Sequence, residues 1–357
     1  MNLERYPRVA FFADGIEETK RRLNSFTREH ELPLLIVRRD ATTTLDRLLR
    51  HSKIKTSLED FRPDVIHAAH PGELGLLGTY FARILQVPLV LSWHANLPAQ
   101  GLIDQMLLAG LYRFPWLAQV LLAPNASIGS VLQDNTGLPT HLIPPAVDSN
   151  LFAPLKRVYA DGVMRIGYAG PLSSENNVRC LARLERYLRA KVTRPFRFLI
   201  VGEGSERSWL EGNLEDAEFT GDLEDERLAR AIARMDIFVF PSETDVSGEG
   251  VLRAMASGVP VVVTSKGGPR FLVEDGVSGF VARSRLDFDR HVLMLVTNPE
   301  LRRRMGHAAR SSADKWSWDV MCEALYRAYR LGIRSFPARP THSPMRPPTP
   351  VGLHPTI

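Results

Sequence analysis

Short apolar runs alternate with helical patterns along almost the whole of this chain. VAFFAD at 9–14 is followed by the helical EETKRRLNSFTREH. LPLLIVR, a basic helical segment, DVIHAAH, the helix ELGLLGTYFARILQ, PLVLSWH, a further helix and QVLLAP come next. A strand followed by a helix must return to the sheet by a crossover, which leaves the strands parallel. The helices then cover both faces, so buried strands read as near-continuous apolar runs.

The rhythm relaxes at IPPAVDSNLFAPLKRVYADG and restarts at MRIGYAG, continuing through FRFLIVGEG, DIFVFPS and VPVVVTS. At 357 residues the chain exceeds one ordinary core. Two doubly wound, Rossmann-like α/β domains are expected, with a hinge near residues 146–163. The first spans 1–150 and the second 151–312. A helix in 313–334, WSWDVMCEALYRAYR, follows, and then a proline-rich tail at 335–357 that is expected to be disordered.

An apolar content of 44% and a charged content of 24% exclude neither domain and fit a globular protein. Lys and Arg exceed Asp and Glu by only 45 to 40, a net +5. That excess reads as ordinary surface charge, and no nucleic-acid partner is expected. Cys180 and Cys322 lie far apart, and Cys180, inside a helical pattern, reads as a buried thiol rather than part of a disulfide or a metal site. No metal-ligand cluster is visible. The N-terminus lacks a signal-peptide pattern, and the longest charge-free stretch, Phe114 to Gln133, is interrupted by Pro115 and Pro124. A cytoplasmic protein is expected. TTTLDRLLRHSKIK places Leu45, Leu48 and Leu49 on one face with Arg47, Arg50, Lys53 and Lys55 nearby. Such a helix is an ordinary surface helix or a peripheral contact with anionic lipid.

In open α/β sheets, ligands bind beyond the carboxyl ends of the strands. The loops there are glycine-rich. They hold Gly15, then Pro71-Gly72, then His94 with HANLP, then Gly170, then Gly202 and Gly204, then Glu243 to Gly250, then Gly267-Gly268. Repeated glycine after strand ends brings backbone close to something, and a phosphate is the expected partner. ETDVSGEGVLRAMASGVPVVV shows the pattern in one piece. A polar loop leads into a helix start, and Gly258 and a buried strand follow.

These stretches resemble the GT-B glycosyltransferases of family four, the retaining group-one enzymes. RIGYAGPLSSENNVRCLARLE, FLIVGEGSERSWLE, AEFTGDLEDERLARAIARMDIFVFPSETD and VLRAMASGVPVVVTSKGGPRFLVEDGVSGFVA carry the likeness in the second half. RPDVIHAAHPGELG, SWHANLP and IPPAVDSNLFAP carry it in the first. The resemblance implies two domains facing across a cleft, with the last helix crossing back to the first domain. It also implies a nucleotide diphosphate sugar donor, a hydroxyl acceptor on a lipid or a glycan, and no metal or other cofactor.

By the same resemblance His94 orients the transferred sugar and Asp245 bonds its hydroxyls. Gly15, Gly170, Gly202, Gly204, Ser247, Gly248, Glu249, Gly250 and Arg253 are the expected donor-binding positions. The family's motif has a ribose-binding glutamate where this chain has Arg253. Its diphosphate-binding arginine and lysine are replaced by Pro171 and Asn176. A hydrogen bond to a charged group contributes roughly 1.5–3 kcal/mol, so losing two costs about 3–6 kcal/mol unless something compensates. Arg253, Lys266 and Arg270 are the candidate replacements. Glu203 and Glu243 are candidates for the donor side. The alternative expectation is a catalytically degenerate relative acting as a binding or partner subunit.

Overall fold

A computed structural model describes residues 6–13, 17–37, 44–69, 73–93, 118–143, 145–155 and 162–336. The first half runs β1 (Val9–Phe12), α1 (Glu17–Glu29), β2 (Leu34–Val37), α2 (Thr44–Phe61), β3 (Val65–Ala68), α3 (Glu73–Leu85), β4 (Leu89–Ser92), β5 (Val120–Ala123), α4 (Ala126–Thr136) and β6 (Thr140–Leu142). These strands form one parallel sheet in the order β2-β1-β3-β4-β5-β6. Side chains alternate across it with a period of two. Ala10, Phe12, Ile66, Ala68 and Leu91 face a core with Ile54 and Leu58 of α2, Phe81 of α3 and Leu132 of α4. Val9, Phe11, Val65, Val90 and Val120 face the other way.

The second half runs β7 (Met164–Ala169), α5 (Cys180–Arg189), β8 (Phe196–Val201), α6 (Arg207–Glu211), β9 (Ala217–Gly221), α7 (Asp225–Ala233), β10 (Ile237–Phe240), α8 (Glu249–Ala256), β11 (Val261–Thr264), β12 (Gly279–Ala282), α9 (Arg285–Thr297) and α10 (Pro299–Ala313). Its sheet is also parallel, in the order β12-β11-β10-β7-β8-β9. The chain's direction of winding reverses between β7 and β10. Such a switch point leaves a crevice beyond the strand ends.

The last helix, α11 (Trp318–Ser335), packs on the first sheet, not the second. Its Cys322, Leu325, Tyr326, Ala328 and Tyr329 fill the face that holds Val9, Phe11 and Val90. Both cysteines are free thiols, and burial raises each to about 12. His67 is core. Its Nε2 lies 2.7 Å from Ser92 Oγ and its Nδ1 2.8 Å from Tyr329 Oη. That contact ties α11 to β3 and β4. The connector between the domains is pinned too. Val147 N–H donates to the Trp316 carbonyl at 2.9 Å. Arg310 Nη1 lies 3.0, 2.9 and 2.6 Å from the carbonyl oxygens of Ser149, Phe152 and Ala256.

Candidate active site

A cavity of 460 Å³ opens at the carboxyl ends of β7, β8 and β10, where Ala169, Val201 and Phe240 end their strands. Leu223, Leu228 and Ile232 give it an apolar side, and the start of α8 closes it. The first-turn N–H groups of a helix have no intrahelical partner, so Glu249 and Gly250 bring backbone donors to this wall. Gly248 is the N-cap, with φ 72°, a left-handed conformation that suits glycine. A Cβ there would also lie 2.8 Å from Leu272 Cδ1.

Asp245 precedes this helix and is half-buried. Its Oδ1 accepts the Gly248 N–H at 2.5 Å, and its own N–H donates to Ser242 Oγ at 3.1 Å. Burial holds its carboxyl above the usual carboxylate range, against the lowering effect of the Gly248 and Ser247 N–H groups. These loop N–H groups hold the carboxylate where Asp245 lines the cavity.

Arg253 lies one turn into α8 and lines the cavity. Its guanidinium sits 5.6 Å from the centre of the Phe152 ring and 3.2 Å from Glu249 Oε2. Gly170, Gly202, Ser247, Glu249 and Gly250 line the same space, as do Pro171, Glu203 and Asp222. Among the described lining residues Arg253 is the one cation, facing the carboxylates of Glu203, Asp222, Asp245 and Glu249.

Gly204 and Gly248 shape the loops without lining the cavity. The close approach that the glycines allow is partly to protein. A Cβ on Gly202 would lie 2.1 Å from the Gly170 carbonyl oxygen, and one on Gly204 2.2 Å from that of Leu172. The loop after β8 therefore packs backbone to backbone on the loop after β7. Asn176 does not reach the cavity either. Its Nδ2 donates to the Pro171 carbonyl at 3.2 Å and to Ser173 Oγ at 3.1 Å. Tyr168, buried beneath, donates its Oη–H to the same carbonyl at 2.9 Å. This loop is closed by its own polar groups.

Lys266 and Arg270 line a second cavity, of 330 Å³, on the other side of the Asp245 loop. That space lies between the domains. Asn125, Ser127, Ile128 and Val131 of the first domain face Asp245, Val246 and the Gly267-Gly268 loop of the second. Asn125 bridges the two. Its Oδ1 caps α4 by accepting the Ile128 N–H at 3.1 Å, and its Nδ2 donates to the Val246 carbonyl at 3.1 Å. Glu243 lines neither cavity and pairs with Lys266 at 2.8 Å. His94 and Gly15 lie outside the described residues.

Residues 7–151 match Glycosyltransferase Family 4, and residues 164–298 match the glycosyl transferases group 1. A GDP-mannose-dependent alpha-mannosyltransferase of Mycolicibacterium smegmatis is 34% identical over 300 residues, covering 79% of this chain and 77% of that protein. This chain belongs to the family 4, group 1 glycosyltransferases. A second GDP-mannose-dependent alpha-mannosyltransferase, from Mycobacterium tuberculosis, is 31% identical over 88% of this chain and 84% of its own length. Two solved structures share the fold at 16% identity. Anabaena HepE, crystallised with UDP and glucose, has a TM-score of 0.68 over 90% of this chain and 98% of its own. Sucrose-phosphate synthase from Thermosynechococcus elongatus has a TM-score of 0.72 with the same two coverages. The protein is thus a glycosyltransferase with the GT-B fold.

The sequence reading missed Asp222, Leu223, Leu228 and Ile232. They follow β9, a strand with no apolar run to announce it. The glycine before Asp222 was the available signal.

Proposed function

We propose that this glycosyltransferase moves mannose from GDP-mannose to a hydroxyl acceptor on a lipid or a glycan, with retention at the anomeric carbon. The observation that carries this is the cavity at the switch point of the second sheet, closed by the start of α8. Its apolar side suits a base and its N–H-rich wall suits a diphosphate. The names of the relatives at 34% and 31% identity supply the nucleotide and the sugar. In the transfer, the acceptor oxygen forms the new bond to the anomeric carbon. The bond from that carbon to the diphosphate breaks, and the hydroxyl proton leaves with the GDP. Asp245 bonds the sugar hydroxyls, and Arg253 answers the charge that gathers on the diphosphate. His94 orients the sugar from the first domain, and the Gly15 loop approaches the phosphate. No metal takes part. Transfer takes place in the cytoplasm, at the inner face of a membrane when the acceptor is a lipid, with α2 as the contact.

A second reading has an observation of its own. The lining carries four carboxylates against one cation, and Pro171 and Asn176 stand where the family places an arginine and a lysine. A degenerate relative that binds without transferring fits this charge. Incubation with labelled GDP-mannose decides between them. Transfer or donor hydrolysis above that of Asp245→Ala supports the enzyme, and nucleotide binding without either supports the binding subunit. The configuration of the released or transferred sugar, read by NMR, tests retention.

A further inference from the structure

We infer that Phe152, in the connector between the domains, is a positioning residue that holds the Arg253 guanidinium at the donor cavity. This rests on the proposed donor binding and adds a residue outside the cavity lining that governs it. Three observations carry it. The first is the contact itself. Arg253 lines the cavity, and its guanidinium carbon sits 5.6 Å from the centre of the Phe152 ring. That is inside the roughly 6 Å over which a cation is attracted to an aromatic face. Phe152 does not line the cavity. It is 3% exposed and packs with the core of the second domain.

The second is construction. The ring and the helix that bears Arg253 are fastened at one point. Arg310 Nη1 lies 2.9 Å from the Phe152 carbonyl oxygen and 2.6 Å from that of Ala256, the last residue of α8. The turn before the ring is fastened as well. Asp148 Oδ1 accepts the N–H groups of Asn150 at 2.9 Å and Leu151 at 3.1 Å, and the Phe152 N–H donates to the Asp148 carbonyl at 2.9 Å. The other Asp148 oxygen pairs with Arg22 of α1. The ring therefore has a fixed place, and the long, rotamer-rich arginine is ordered against it rather than the reverse.

The third is chemistry. Arg253 Nη2 donates to Glu249 Oε2 at 3.2 Å. A carboxylate partner cancels part of the cation's charge. A ring face attracts the cation through its quadrupole without neutralising it and without accepting its in-plane N–H groups. Phe152 thus orders the guanidinium while leaving it the charge that a diphosphate needs.

A double-mutant cycle read by calorimetry with GDP tests this, together with pentafluorophenylalanine at position 152, which keeps the ring's shape and reverses its quadrupole. Phe152→Leu is expected to weaken GDP binding about three- to fivefold, and Arg253→Met about tenfold. The two together are expected to match Arg253→Met within about twofold, because the ring acts only through the guanidinium. The fluorinated ring is expected to weaken GDP binding as Phe152→Leu does, with a melting temperature within about 2 °C of wild type. Losses that add in the double variant, or wild-type affinity with the fluorinated ring, overturn the role. The contact is read separately from the donor, by NMR on protein with isotope-labelled arginine and no nucleotide. The Arg253 Hδ resonances should carry an upfield ring-current shift that Phe152→Leu removes, and its absence in the wild type overturns the contact. A wild-type protein that shows the shift but does not bind GDP keeps Phe152 as the support of Arg253 and overturns the donor reading instead.

Discussion

At Asp245 a single side chain holds the loop and, in the proposed transfer, bonds the sugar, and the two uses pull apart. Its folded-state value is raised, so ionising it costs folding free energy. That cost is absent below the ordinary carboxylate range and complete above the folded value. Asn keeps an oxygen for the Gly248 N–H and never ionises. Asp245→Asn should therefore melt higher than wild type at neutral pH, with the gap closing as pH falls through the carboxylate range. Calorimetric scans across that range check the sign. Transfer from GDP-mannose should drop about ten- to a hundredfold in the same variant, the value of a charged hydrogen bond to the sugar. Arg253 gives a second residue-scale test. Its ion pair with Glu249 is partly exposed and contributes little to stability. Arg253→Met should leave the melting temperature nearly unchanged and weaken GDP binding about tenfold, measured by titration calorimetry. Unchanged GDP affinity would remove the guanidinium from any part in binding. Restoring the family's cations is not symmetric, because Pro171 lines the cavity while Asn176 closes the loop. Pro171→Arg adds charge where it counts, whereas Asn176→Lys costs two hydrogen bonds of the loop.

Among the elements, α11 carries the most consequence for its length. It buries Leu325, Tyr326 and Tyr329 on the first sheet. A fully buried large apolar side chain contributes about 1.5–3 kcal/mol, so truncation after Ala313 should lower the melting temperature sharply. A finer test is Tyr329→Phe, which removes the hydroxyl facing His67 at 2.8 Å and little else. It should cost about 1–2 kcal/mol in a denaturant titration. These elements also show what the sequence could and could not reveal. Central strands such as VAFF, VIHA and IFVF are buried throughout and stand out as apolar runs. The strands passed over, β6, β9 and β12, lie at sheet ends and bear THL, AEFTG and GFVA. Edge position alone does not hide a strand, since β2 at the other end of the first sheet reads LLIV and stands out, but in β6 and β9 polar residues break the run. The site followed the same logic. Asp245, Ser247, Gly250 and Arg253 were legible because one loop and one helix carry them in sequence. The sorting of Arg253 from Lys266 and Arg270 into different cavities was not, because it depends on which side of the Asp245 loop each approaches.

Across the whole molecule, the two domains are joined by the connector, by α11 and by a few polar contacts. Arg22 of α1 pairs with Asp148 in the connector, and Arg21 lies 3.7 Å from Asp225 in a pair exposed on both sides. Exposed pairs of that kind contribute at most about 1 kcal/mol. The contact that reaches the site is Asn125 to the Val246 carbonyl, between two residues that line the donor cavity, Asp245 and Ser247. Asn125 thus makes the placement of the donor loop depend on how the first domain sits. Asn125→Ser separates its two roles. Serine caps a helix about as well as asparagine, so α4 and the first sheet should keep their stability. Its side chain is too short to span to Val246, and it adds no charge to the cavity between the domains. Losing a neutral hydrogen bond of about 0.5–1.5 kcal/mol should raise the KM for the donor roughly two- to tenfold. The melting temperature should move little, while small-angle scattering should show a larger radius of gyration as the domains part more often. A raised KM with an unchanged radius would place the effect within the loop alone. An unchanged KM and radius together would show that the 3.1 Å bond does not govern closure.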